Sequence, residues 1–232
     1  QLGRTRGEIE RLKASNEKLQ KELIDRKNAD AELAQLKSVL DLAGTAKYKV
    51  VNAKVISLGS TSSFTQTITI DAGTNNGVRQ NMTVISGLGL VGVVKISYPN
   101  SALVQLTTDP AFKVGARVAG SQQIGILSGQ GTSKAVLQLL DNQTTLKVGD
   151  VILARGSVNN RPFVPGVPIG QVTAVDNAAG AVTQTADIKL YVNFSSLSTV
   201  AVVVSAPKED PRDALVPKAP VPTPVPTVTI YA

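Results

Sequence analysis

The sequence predicts a mainly β protein, in which an N-terminal coiled-coil helix precedes two small β-barrels of roughly six strands each. Up to about Gly44, apolar residues recur at helical spacing between charged residues, and from Lys49 to about Ser205 apolar and polar residues alternate in short segments. A period near 3.5 is typical of a helix that faces a partner, and a period of two is typical of a half-buried strand. These patterns divide the chain into a dimerisation stalk (1–44), a first barrel region (45–118), a second barrel region (119–205) and a Pro-rich flexible tail (206–232), and they leave room for strands that cross between the barrels.

The first segment has heptad spacing. If Ile9 is an a position, the next four seam positions hold Leu or Asn, whereas Arg26 and Asp30 interrupt the two positions after them. We expect the apolar spacing to resume after Asp30 in a shifted phase. The predicted dimer seam comprises Ile9, Leu12, Asn16, Leu19, Leu23, Leu33, Leu36 and Leu40.

Two arrangements of this helix fit the pattern: a parallel homodimer, and a single amphipathic helix packed along its own β domain. Asn16 favours the homodimer, because an Asn at an a position lowers stability but selects one register. We expect the helix to end at Gly44, since the residue that follows a helix often needs a left-handed conformation.

The segment from Lys49 to Ser205 is predicted to contain about twelve short strands. Val51, Ala53 and Val55 alternate with polar residues, and the last strand repeats this pattern at Val200, Val202 and Val204. Two stretches also resemble each other: residues 77–85 lead to Gly92, and residues 146–153 lead to Gly170. Two closed barrels explain both the strand number and the repeat, and closure removes exposed strand edges.

The glycines of these strands are interpreted as structural. The spacing of residues 87–92 is similar to a phosphate-binding loop, but no helix is predicted to follow it, as such a loop requires. Glycine instead permits a positive φ, a bulge or a close backbone approach at a turn or barrel corner. The residues assigned this role are Gly87, Gly89, Gly92, Gly149, Asp150, Gly166 and Gly170.

The composition argues against several functions. The chain has no Cys and no His, so it lacks thiolates and the commonest general base and metal ligand. The six Asp residues of the segment 50–205 are scattered, and we therefore expect no catalytic residue, no metal site and no cofactor. The net charge of +7 is spread along the chain and aromatic residues make up 3%, which argues against a nucleic-acid partner. Because the chain begins with Gln1, we expect it to be part of a longer protein.

Several motifs resemble the rod shape-determining protein MreC family. They occur in order over about residues 8–205, with the heptad helix in front. The motifs are Asp71-Ala-Gly73, Gly77-Val78, Met82-Thr-Val-Ile85, Gly87-Leu-Gly-Leu-Val-Gly-Val-Val94, Ser101-Ala-Leu-Val-Gln-Leu106, Lys147-Val-Gly-Asp-Val151, Pro165-Gly-Val-Pro-Ile-Gly-Gln-Val172 and the last strand, 197–204. One departure is Ala154-Arg-Gly156, where the family often has Thr-Ser-Gly.

This resemblance implies a non-enzymatic scaffold that maintains cell shape within the cell-elongation machinery. It implies a single-pass protein of the cell membrane, whose transmembrane helix is not in this sequence and whose stalk and barrels lie on the extracytoplasmic side, in the periplasm or at the cell surface. It also implies homodimers that associate into filaments, and binding to class B penicillin-binding proteins, which are peptidoglycan synthases, and to other membrane proteins of the elongation complex.

Two other functions remain open. A membrane-fusion or adaptor-type envelope protein also combines a coiled coil with β-barrels, but it usually needs a second helix that returns toward the membrane. A cell-wall hydrolase is disfavoured by the missing His and the scattered carboxylates. The tail is interpreted as extended and mobile, and its end, Val228-Thr-Ile-Tyr231, is a candidate for strand addition to a neighbouring molecule.

Overall fold

The computed structural model describes residues 2–59, 65–121, 123–140, 146–176 and 183–218. It begins with one long helix, α1 (Leu2–Thr45), and twelve strands follow in the described residues. The strands are β1 (Lys49–Leu58), β2 (Thr67–Ile70), β3 (Thr83–Ser86), β4 (Gly89–Ser97), β5 (Ala102–Leu106), β6 (Lys113–Val118), β7 (Ile124–Gly129), β8 (Lys134–Leu139), β9 (Val151–Ala154), β10 (Pro168–Asp176), β11 (Thr185–Leu190) and β12 (Thr199–Ser205). In this described part of the chain, no helix combines the length and the apolarity that crossing a membrane demands.

The end of α1 corrects the prediction at Gly44. The helix continues to Thr45, and Lys47 takes the left-handed conformation with φ 56°. The Tyr48 amide donates to the Ala43 carbonyl at 2.8 Å, and the Lys47 amide donates to the Gly44 carbonyl at 3.1 Å, which is the Schellman pattern. Tyr48 and Ala43 are both buried in one apolar cluster. Burial of Tyr48 therefore fixes where the helix ends, and the conformational freedom of Gly44 is not used.

The strands form two closed, six-stranded antiparallel barrels, and the predicted fold class of a helix followed by two small barrels is confirmed. The first barrel has the order β1-β12-β3-β4-β5-β2, and the second has the order β10-β11-β8-β7-β6-β9. The barrels depart from the division of the sequence at residue 118 in two places, and both are strand crossings of the kind that the prediction left open. Strand β6 belongs to the second barrel, and β12 returns to close the first barrel against β1.

The interior of the first barrel is a separate apolar core that includes Ile68, Ile70, Val84, Val94 and Val104. Alternate residues of β2 point into this core. In contrast, β3 is buried along its whole length, and Gly89–Val94 of β4 and Thr199–Val203 of β12 are also buried on both faces. A strand that is covered on both faces has a nearly continuous apolar sequence, which explains the run from Val200 to Val203.

A second apolar cluster joins all parts of the molecule. It contains the interior of the second barrel, with Leu127, Leu137 and Ile188, and also Val39 of α1 and Ile85 on the outer face of the first barrel. The two similar stretches of the sequence meet here, because they form the neighbouring strand pairs β3–β4 and β9–β10 and β4 contacts β10. The helix base and both barrels are thus held by one continuous layer of apolar side chains, which we call the joint cluster.

The described part of the tail, residues 206–218, corrects the expectation of a mobile tail. Leu215 is buried in the joint cluster, and Asp213 accepts hydrogen bonds from Arg117 Nη1 at 2.6 Å and from the Gly120 amide at 2.9 Å. These contacts hold the segment across the second barrel. The candidate strand at residues 228–231 and most of the Pro-rich run lie outside the described residues.

Gln35 links α1 to the first barrel. Its side-chain oxygen accepts hydrogen bonds from the Ser198 amide, the Ser198 hydroxyl and the Thr199 amide at 2.9–3.0 Å, and its amide nitrogen donates to the Ser196 carbonyl at 3.0 Å. We expect Gln35→Ala to lower the free energy of unfolding by about 1–3 kcal/mol, because two backbone donors lose their acceptor. Chemical denaturation measures this change. The exposed Gln20→Ala is the matched control and should stay within about 0.5 kcal/mol; equal effects of the two would contradict this role of Gln35.

Asp213 gives the docking of the tail a pH dependence. Its hydrogen bond with Arg117 lowers the pKa of the Asp213 carboxyl. The stabilisation by Asp213 is therefore present above the unfolded carboxyl pKa of about 3.9 and is lost as the pH falls through the lower folded value. Because Asp213 is 42% exposed, we expect less than about 1 kcal/mol from it.

Hydrogen exchange of residues 206–218 measures this contribution. Asp213→Asn should accelerate exchange at neutral pH, and the difference from the unchanged chain should shrink below about pH 4. Glu209→Gln, an exposed carboxyl in the same segment, is the control and should change exchange little. A difference that persists at low pH would show that Asp213 does not act through its charge.

Candidate functional site

The exposed apolar surface of α1 is the first candidate site. Side chains of Ile9, Leu12, Leu19, Leu23, Leu33 and Leu40 are between 42% and 67% exposed, and Asn16 between them is also exposed. We call these seven residues the outer stripe. Exposed apolar residues are common one by one, but a row of them along one helix face indicates an interaction surface, even where charged residues interrupt it. The outer stripe is therefore a candidate site for a partner helix.

The eighth residue of the predicted seam, Leu36, does not belong to the outer stripe. It is half-buried and packs against the joint cluster beside Val39. Counting in sevens from Ile9 places Leu33 and Leu40 at d positions of the original frame, so the expected change of phase after Asp30 is wrong. Leu36 is a g position in that frame, and it looked like part of the seam only because a second apolar face begins there.

The inner face of α1 belongs to its own β body. It consists of Gln35, Leu36, Val39 and Ala43, which contact the barrels or the joint cluster, and Ala46, directly after the helix, continues this contact. Residues 8–31 precede this region and are exposed. The packed-helix arrangement is thus present at the base of α1. The homodimer stays a prediction, for which the exposed outer stripe is available.

An ion pair connects the base of the helix to β1. Lys54 Nζ on β1 lies 2.8 Å from Glu32 Oε2, and this hydrogen bond raises the pKa of Lys54. Both side chains are largely exposed, so the pair contributes little to stability. It lines a groove of about 440 Å³ between α1 and β1, whose other lining residues include Leu33 and Asn52.

A second groove lies between the two barrels. Its volume is about 490 Å³, and it is lined by residues of the β5–β6 connection, the β7–β8 turn and the segment from Lys189 to Ser195. Tyr191 and Phe194 supply aromatic surface there, and partial burial raises the pKa of Tyr191. This interbarrel groove is concave and mixes apolar with polar groups, as binding surfaces do.

The predicted structural glycines lie where backbones approach closely. Gly89 has φ +145°, and a Cβ there would strike the Pro168 carbonyl of the second barrel. A Cβ at Gly92 or Gly170 would strike a carbonyl of the neighbouring strand, one at Gly87 would strike Ser38 of α1, and one at Gly166 would strike Pro211 of the tail segment. Gly149 has φ +99° in the turn before β9, where Asp150 accepts from the Lys147 amide at 2.9 Å.

Asp109 is a buried polar residue that sequence reasoning did not single out. Its carboxylate accepts hydrogen bonds from the amides of Gln66 and Ala111, both at 2.7 Å. It therefore ties the start of β2 to the connection between the barrels. The signal in the sequence was Asp before Pro110, a pairing that is typical of a turn in which the Asp side chain binds local amides. The described residues contain no group of three or more Asp, Glu, His or Cys side chains placed to hold a metal ion.

Comparison with known proteins finds a family and relatives that resemble this chain. The family model described as "Rod shape-determining protein MreC, barrel core" matches residues 55–204. The cell shape-determining protein MreC of Listeria monocytogenes is 30% identical over 191 residues, which make up 80% of this chain and 63% of that relative. The chain thus spans less than two thirds of the length of that relative.

Solved structures share the two-barrel fold. The major periplasmic domain from the cell shape-determining filament MreC has a TM-score of 0.57 and 27% identity, covering 66% of this chain and 94% of that one. A chain in the complex between penicillin-binding protein PBP2 and MreC from Helicobacter pylori has a TM-score of 0.52 and 13% identity, covering 67% and 99%. Because the family match extends over strands of both barrels and more than half of the chain, this chain belongs to the rod shape-determining protein MreC family.

Proposed function

We propose that this chain is a non-catalytic scaffold of cell-wall elongation, which determines cell shape by associating with itself and by binding peptidoglycan synthases. The observation that carries the proposal is the division of α1 into two faces. Its inner face is packed on the barrels, and its outer stripe is free along the length of the helix. A rigid body that carries a free helical seam is suited to bring bound partners together in a fixed geometry.

The proposed location is the extracytoplasmic side of the cell membrane, to which a single helix outside this sequence would anchor the chain. The related periplasmic MreC domain supports this side of the membrane. The exposed residues 8–31 correspond to roughly 36 Å of helix at about 1.5 Å per residue. A helix of that length would hold the barrels clear of the lipid headgroups.

The proposed partner is a class B penicillin-binding protein. The choice is supported by the shared fold with the MreC chain of the Helicobacter pylori complex, and the grooves of the β body are candidate docking surfaces. The adaptor-type alternative is not favoured, because the described residues contain one long helix and no second helix that returns along it.

Association through the outer stripe is tested by charge. We expect the double variant Leu19→Lys, Leu23→Lys to be monomeric in sedimentation equilibrium, because lysines at a and d positions cannot be buried against a second copy without a large desolvation cost. The control is Ile24→Lys, which changes a neighbouring residue that is 57% exposed but lies off the seam. A double variant that remains dimeric would move the interface to the barrels.

Synthase binding is tested by titration on an immobilised extracytoplasmic part of a class B penicillin-binding protein from the same organism. We compare the full chain with residues 28–218, which keep Gln35, Leu36 and Val39 and hence the joint cluster. A chain that starts at Gly44 would lose these contacts and is unsuitable. We expect the shorter chain to retain saturable binding with faster dissociation, because it binds singly while a dimer binds at two points. Absence of binding by both chains up to high micromolar concentration would contradict direct recruitment.

A further inference from the structure

Three charged residues, Arg26, Asp30 and Lys37, interrupt the outer stripe, and the first two carry opposite charges in adjacent layers. In the frame that starts at Ile9, Arg26 occupies a d position and Asp30 the next a position. Both side chains are exposed, and the ion pairs of the described residues, Lys54–Glu32 and Arg117–Asp213, include neither of them. Two opposite charges in consecutive seam positions therefore have no ion-pair partner within the described part of the chain.

A second copy of the chain can supply that partner. In a parallel, in-register pair of helices, each d layer is followed, four residues later, by an a layer about 6 Å further along the axis. The guanidinium of Arg26 can therefore extend along the seam toward Asp30 of the second copy, and two-fold symmetry creates the same pair twice. Without such crossed pairs, Arg26 would face Arg26 and Asp30 would face Asp30, which is unfavourable.

The positions that flank the seam agree with this register. Glu8 and Glu22 occupy g positions, and Lys13 and Lys27 occupy the e positions five residues later. In parallel coiled coils, a g residue lies beside the e residue five positions later on the partner, and opposite charges there favour the in-register pair. In two g–e pairs of this chain both residues are charged. These pairs, Glu8–Lys13 and Glu22–Lys27, each combine Glu with Lys.

We propose that Arg26 and Asp30 form a charge layer that pairs crosswise between two copies of this chain and sets their parallel register. This proposal rests on the self-association proposed above and names the residues that make it specific. The interruption of the apolar seam then selects one alignment, because an alignment shifted by one heptad would bring Leu19 or Leu33 of one copy opposite a charged side chain of the other.

Charge reversal tests the crossed pairing. Arg26→Glu alone places two carboxylates beside each other in both crossed pairs, and Asp30→Arg alone places two guanidinium groups there. We expect each variant to have a dissociation constant for its homodimer raised about tenfold or more. In a mixture of the two variants, each homodimer has like charges in both crossed pairs, whereas the heterodimer has opposite charges in both.

In the heterodimer, one crossed pair joins the two introduced side chains, a carboxylate and a guanidinium, and the other joins the original Arg26 and Asp30. Both pairs therefore combine opposite charges, as they do in the unchanged homodimer. The heterodimer should exceed the statistical half of all dimers, as measured by native mass spectrometry of copies with different tags.

A matched control distinguishes pairing between copies from pairing within one helix. Lys21 and Asp25 have the same spacing of four residues and the same order of charges, but they lie on the side of the helix away from the seam. Lys21→Glu and Asp25→Arg should leave the homodimers intact and give a statistical mixture. The proposal would be overturned if the Lys21 and Asp25 variants preferred heterodimers as strongly as the Arg26 and Asp30 variants do. It would also be overturned if the Arg26 and Asp30 variants showed no such preference.

Cross-linking tests the direction of the helices. Because the chain has no Cys, Asn16→Cys introduces a single thiol at an a position, and oxidation should join two copies in the parallel, in-register pair. Failure to cross-link while the unchanged chain is dimeric would overturn the proposed register but leave self-association standing. An unchanged chain that is monomeric in sedimentation would instead contradict self-association itself.

Discussion

One apolar layer determines how the parts of this molecule are arranged. Strands β3, β4 and β12 have their inner faces in the core of the first barrel, and their outer faces belong to the cluster shared with α1, the second barrel and Leu215 of the tail segment. None of these parts can leave without exposing buried apolar surface. Gln35, Tyr48 and Thr83 satisfy polar groups at the margins of this layer. The molecule therefore behaves as one body at the helix base, without a linker between stalk and barrels.

Local patterns predicted the helix, the number of strands and the outer stripe, because each depends on residues close in sequence. The membership of the barrels depends on pairing between distant residues: Lys49 lies opposite Ser205, so the last strand closes the first barrel. No local period signals such closure. The continuous run Val200–Val203 did carry information, since burial on both faces is what distinguishes β12 from a strand with one exposed face.

The errors at single residues have a common physical cause. Gly44 adopts a left-handed conformation more readily than Lys47 does. However, it is the turn at Lys47 that brings Tyr48 into the joint cluster. Leu36 has the same side chain as Leu33 and Leu40, and only the position of the barrels decides that it faces inward. Leu215 and Asp213 are isolated in a polar, Pro-rich segment, so composition suggested mobility where two specific contacts hold the chain.

Because the base of α1 is fixed to the barrels, the register of two paired helices would decide how their β bodies are placed relative to each other. A slip of one heptad between two helices displaces them by about 10 Å along the axis, and apolar a and d residues alone oppose such a slip only weakly. Because the inner face of the same helix is fixed to the barrels, this displacement would be transmitted in full to the surfaces that face a partner. Polar residues in the seam lower its stability but raise the cost of misalignment. Asn16 lies far from the barrels, whereas Arg26 and Asp30 lie directly before the point where α1 meets them. In the proposed dimer, the charged layer is thus at the position in the helix where an error in register has the most direct effect on the relative placement of two β bodies.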